Sequence, residues 1–311
     1  MDAVREAVAL SGAAVPALRT ALAQHPGAGV ERALLALAIG ADYSDSVLRD
    51  QLIRAYDDAA DGREKSLVRG VFLHTHRHYR LAADHLVGHF ARYPADPVAV
   101  LLVSAFALAG DLHYRQQGQR VVEQQSALAG PDSWPWVSWL AVTRAEQGRV
   151  GEALELADQA LGLYPRSGAA AHARAHAVHE LGDGLAAVAW LDDWMAPDPQ
   201  LPQRRHLHWH AALQSLAAGD LADARRRANT ELAATDVGMR SAVNWRLLLI
   251  GAAPADVVAA EHARELLAAP GGMVEVFHTF QLALALAVAG DHEALTTLAK
   301  QAAADSRPDY A

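Results

Sequence analysis

A chain of 311 residues that is 52% hydrophobic and carries a formal charge of −9 can bury a large core and is too apolar to stay disordered. With a pI near 5.9 and no sustained Lys/Arg run, it offers no footprint for phosphate backbones or anionic lipids, so neither nucleic acid nor membrane is an expected partner. Cysteine is absent, which excludes disulfides, a thiolate nucleophile and Cys-ligated zinc or iron–sulfur centres, and accords with a reducing cytosol.

The chain opens MDAVREAVALSGAAVPAL, with Asp2, Arg5 and Glu6 where a secretory leader would be basic. Residues 1–60 are expected to form an N-terminal helical segment, a degenerate repeat or cap, joined to helical repeats over residues 61–311 as one continuous domain. HRHYRLAADHLVGHFARYPADP, His76 to Pro97, then reads as a helix that ends near Pro94. The longest near-apolar run, PVAVLLVSAFALAG from Pro97 to Gly110, is too short to span a bilayer. A cytoplasmic protein is expected.

From here a period appears. Gly followed by a polar residue recurs at Gly110-Asp111, Gly148-Arg149, Gly182-Asp183, Gly219-Asp220 and Gly290-Asp291, at intervals of 38, 34, 37 and 71 residues, with Gly251 inside the last. Each Gly can take the left-handed conformation that ends a helix, and each Asp can cap the next helix. In WVSWLAVTRAEQGRVGEALELADQALGLYP, Trp136 to Pro165, the residues Leu140, Ala141, Gly148, Ala153, Ala160 and Pro165 fall at the spacing of a tetratricopeptide repeat. Ala82 and Pro94 repeat part of that pattern, as do Ala212, Gly219 and Ala224. Strand signals are missing. The expected fold is all-α, a tetratricopeptide-like helical-repeat solenoid of antiparallel helix pairs wound as a right-handed superhelix.

AHARAHAVHELGD, Ala171 to Asp183, places three histidines and a glutamate on one helix of this array. In a tetratricopeptide unit the first helix lines the concave face, and counting back from Gly182 puts His172, His176, His179 and Glu180 at its inward positions. The same count from Gly219 selects His206 and Trp209, with His210 beside them; from Gly148 it selects Glu146. Residues at i, i+4 and i+7 share a helical face, which agrees independently. His74 holds a comparable place earlier, and Trp139 and Trp245 can bound a ligand. Trp136, Trp190 and Trp194 are assigned to packing, and His25, His85, His89, His113, His262 and His292 to ordinary surface or core roles.

HARAHAVHE, followed some thirty residues later by HLHWHAAL, resembles the paired histidine signatures of the proteins similar to tetratricopeptide repeat protein 38. ARYPADPVAVLLVSAFALAGD and NWRLLLIG, Asn244 to Gly251, look like flanking blocks of that family. The likeness spans about residues 60 to 305 and marks His172, His176, Glu180, His206, Trp209 and His210. It departs at FHTFQLALALAVAGD, which has His278 and Gln281 where the family tends to show Asn-Asp-x-x-His. That family is largely of unassigned function, so the resemblance implies a scaffold and a pocket more than a reaction.

Three functions fit these residues. The first is acid–base catalysis on a small molecule without a cofactor, of isomerase, cyclase, lyase or hydrolase type, in bacterial specialised metabolism. There His176 or His210 moves the proton, Glu180 orients it, His172 and His206 polarise a substrate oxygen, and Trp209, His179, Glu146, Trp139, His74, Trp245 and His278 bind the substrate. No dinucleotide loop, P-loop or nucleophile elbow is present, so no cofactor is expected. The second is an interaction scaffold that holds a peptide in the groove. The third is a metalloenzyme, because His172-x3-His176 and His206-x3-His210 each set two imidazoles one helical turn apart. A homo-oligomer is compatible with all three.

Overall fold

The computed structural model describes residues 2–182, 184–232, 237–252, 257–268 and 276–304, and among these the chain is all-helical with no strand. No described helix is long and apolar enough to cross a membrane. Residue contacts divide the chain into two units: Met1–Ala177 with Met195–Gln203, and Val178–Trp194 with Arg204–Ala311.

In the first unit α1 (Ala3–Val8), α2 (Ala14–Gln24), α3 (Gly29–Ile39), α4 (Asp45–Asp58), α5 (Gly62–Thr75) and α6 (Tyr79–Arg92) lead to the short α7 (Ser104–Leu108). Then come α8 (Leu112–Ala129), α9 (Trp134–Glu146), α10 (Val150–Leu163) and most of α11 (Gly168–Leu181). Short polar side chains start several of them: Ser44, Asp61 and Asp111 accept the backbone N–H three residues on. A single apolar cluster runs from Ala3 through Leu18, Leu34, Leu52, Leu67 and Phe106 to Trp136, so residues 1–60 share one core with the helices from α5 to α9. Trp136 is fully buried, edge-on to Phe90, and donates its indole N–H to Ala95 O at 3.1 Å.

Ala141, Ala153 and Ala160, all fully buried, sit where the sequence asks for small residues between paired helices, and Ala157 is buried beside them. Methyl groups let two helices approach closely without ordering long side chains. The N-terminal segment also reaches far along the chain. Glu6 accepts hydrogen bonds from Ser11 and from the Tyr164 hydroxyl, Gly168 N donates to Ala9 O at 2.8 Å, and Gly12 N donates to the Asp198 carboxylate at 2.9 Å. A Cβ on Gly12 would stand 2.0 Å from that carboxylate, so the contact requires glycine.

The second unit holds the end of α11, α12 (Gly184–Met195) up to Trp194, α13 (Arg204–Ala217), α14 (Leu221–Thr230), α15 (Val237–Leu249), α16 (Val257–Ala268), α17 (Val276–Val288) and α18 (His292–Ala304). Ala212, Ala224 and Ala228 are fully buried here. Arg227 on α14 is buried too, with Asp192, Asp223 and His208 taking its N–H groups, as a charge removed from water requires.

The turn glycines take the backbone conformation expected of helix-ending residues. Gly110, Gly148, Gly182, Gly219, Gly251 and Gly290 all have φ between 68° and 92°, the left-handed region. Asp111, Asp220 and Asp291 cap the following helices through Tyr114 N, Asp223 N and Ala294 N. Asp183 lies outside the described residues.

Candidate functional site

The alanines of α11 explain how its histidines are presented. Ala169, Ala170, Ala171, Ala173, Ala175 and Ala177 are buried and short, so the imidazoles extend past them, while Arg174 reaches Asp158. His172 and His176 are half-buried, one turn apart, with their Nε2 atoms 3.0 Å from each other and ring planes at 76°. On α13, His206 is half-buried and His210 buried, with Nε2 atoms 3.1 Å apart and planes at 72°. At such separations two nitrogens cannot both hold a proton toward each other, so at most one of the two facing nitrogens in each pair carries one. Two imidazoles on one tetrahedral zinc, each at about 2.0–2.1 Å, have nitrogens about 3.3 Å apart, close to what each helix shows. His172 and His176 in the first unit, and His206 and His210 in the second, are candidate metal ligands among the described residues, and neither pair contains a carboxylate.

Trp209 packs against both rings on its helix, 5.3 Å from His206 and 4.8 Å from His210 between centroids. Its Nε1 is buried and meets no acceptor among the described residues. The Nδ1 of His179, a half-buried residue, is likewise buried without a partner among them. Glu180, expected to orient a histidine, is exposed, and its side chain makes no hydrogen bond or ion pair among the described residues. Trp245 is half-buried on α15, where Gly238 leaves space for the Gln281 amide: a Cβ there would be 2.0 Å from Oε1. The side chain of His278 lies outside the described residues.

The remaining expected residues meet within the first unit. Trp139 and Glu146 line a small cleft with Ser104, Arg115, Gln119 and Thr143, and His74 Nε2 bonds Ser104 Oγ at 3.0 Å. Burial lowers the His74 pKa to about 4, so this imidazole is neutral at physiological pH. Desolvation raises the Glu146 pKa, against Arg115 and a Gln119 hydrogen bond that lower it.

Sequence reasoning missed the partners. Ser104, Arg115 and Gln119 carry no motif; only their places one helix away from His74 and Glu146 connect them. It also missed a buried network in which Asp96 accepts from Arg63 (2.8 Å), His89 Nε2 (3.1 Å) and Val98 N (2.9 Å), while His89 Nδ1 bonds Ser66 Oγ at 2.9 Å. His85 joins it through Ser66 O at 2.7 Å. His89 is thus the satisfied core histidine that its lack of pattern suggested. His25, His113 and His292 are exposed. No protein-family model matches the chain, and no curated protein matches it significantly.

Proposed function

We propose that the protein is a tetratricopeptide-like helical-repeat protein whose histidine pairs bind a divalent transition metal, and that the bound ion activates water or a small-molecule substrate. The observation that carries this reading is the convergence of Nε2 atoms within each pair, 3.0 Å for His172 and His176 and 3.1 Å for His206 and His210. An all-imidazole set suits zinc, copper, nickel, cobalt or iron and not magnesium or calcium, which prefer oxygen. The resemblance to the tetratricopeptide repeat protein 38 family, which marks these four histidines, supports a shared pocket role.

The same contacts, taken as N–H···N hydrogen bonds, support the second reading, in which His176 or His210 moves a proton without a metal. Elemental analysis of the untagged protein after exposure to zinc, cobalt and nickel separates the two. Stoichiometric metal in the wild type, lost in His176→Ala and in His210→Ala, is the expected result. Complete loss in either variant means one ion served by both pairs; half loss in each means that each pair binds by itself. No uptake of any of these ions overturns the metal reading and leaves acid–base chemistry. Because only neutral imidazole binds metal, retention should also fall as acid protonates the rings.

A further inference from the structure

A donor without an acceptor stands beside the second histidine pair. The Trp209 indole N–H is buried and unmet among the described residues, and its ring packs on both His206 and His210. Phenylalanine would fill similar space without that demand. The ring is also held in place, packed on the apolar cluster of Ala212, Leu213, Val243 and Leu247. Indole nitrogen donates and never accepts, so what completes it is an oxygen or an anion. The charge balance narrows the class further. The candidate ligands His206 and His210 are joined by no Asp or Glu, so a divalent ion held there keeps its full charge and favours an anionic ligand over a neutral one.

We propose that Trp209 Nε1–H is the hydrogen-bond donor to a small carboxylate ligand bound at the metal held by His206 and His210, which makes the site selective for anionic oxygen ligands. This rests on the metal reading above. The carboxylate gives one oxygen to the ion and receives the indole proton's hydrogen bond on the other. No covalent bond is made or broken. Trp209 therefore sets which molecules stay at the ion, while the histidines set whether the ion is there.

The probe is acetate, titrated into protein loaded with cobalt(II), whose visible spectrum reports a change of ligand. In parallel the indole ¹H–¹⁵N signals of the seven tryptophans are followed in protein loaded with diamagnetic zinc, with Trp209 assigned by the signal missing in Trp209→Phe. The expected result has three parts. Acetate perturbs the cobalt spectrum, the Trp209 indole proton moves downfield, and Trp209→Phe binds cobalt as before but acetate about tenfold more weakly. Equal acetate binding by both proteins, or an indole signal of the zinc protein that stays put at acetate concentrations that change the cobalt spectrum, overturns the proposal and leaves the metal reading standing. Failure of the wild type to take up cobalt overturns the metal reading itself, and this inference with it. Should Trp209→Phe fold poorly, the wild-type indole shift on acetate addition decides alone, with Trp209 assigned by backbone-linked resonances.

Discussion

Asp96 shows how one buried carboxylate is kept charged. Desolvation alone would raise its pKa, but hydrogen bonds from His89, Arg63 and Val98 N outweigh that and bring it from 3.8 to about 2. A carboxylate with a folded-state pKa below its unfolded one stabilises the fold above the unfolded value, and the contribution fades as pH falls from about 4 towards 2. Asp96→Asn should therefore destabilise the protein by about 2–4 kcal/mol at pH 7, since it removes the charge that Arg63 pairs with and leaves one accepting oxygen where Arg63, His89 and Val98 N share two. Denaturant titration checks this, and the gap between wild type and variant should shrink near pH 2. At this scale the sequence was half legible. That His172 and His176, or His206 and His210, would meet follows from i, i+4 spacing alone. That Glu180 would turn out to solvent, or that His74 would find Ser104, depends on rotamers and neighbouring helices that spacing does not encode.

Helix ends and helix contacts were the most legible level, because each depends on one residue doing one local thing. Gly219, at φ 81°, begins a turn whose next residue, Asp220, caps α14. Gly219→Ala should cost about 1 kcal/mol through the left-handed backbone, read as a lowered melting temperature. Gly118 is glycine for a different reason: a Cβ on it would lie 2.5 Å from the Phe106 Cβ, so α8 meets α7 only without a side chain there. Gly118→Ala should cost about 1–3 kcal/mol as the pair is forced apart, measurable by the same melt. What patterning did not show is the break in PVAVLLVSAFALAG. The structure divides it into a 3-10 turn, Ala99–Leu102, and the five-residue α7. An unbroken apolar run has no polar face from which a phase or an interruption can be read.

In the first unit as a whole, contacts between residues far apart in sequence do what no local signal announces. Gly12 and Asp198 are 186 positions apart, yet one hydrogen bond joins them, and Glu6 meets Tyr164. Deleting residues 1–12 should destabilise this unit by about 2–3 kcal/mol, from lost burial of Ala3, Ala7 and Val8 and the unmet Tyr164 hydroxyl. Hydrogen exchange checks it at one amide, Gly168, which should lose the protection that Ala9 O gives it. Periodicity cannot find such a contact, since it records only what lies within a turn or a repeat. The same return contact also sets an order of events during synthesis. At about 5–20 residues per second, α1 waits roughly ten to forty seconds before residues 164–200 leave the ribosome. For that interval Glu6, Ala9 and Gly12 lack their final partners, so a helix made well before the rest of this unit is among the last in it to be completed.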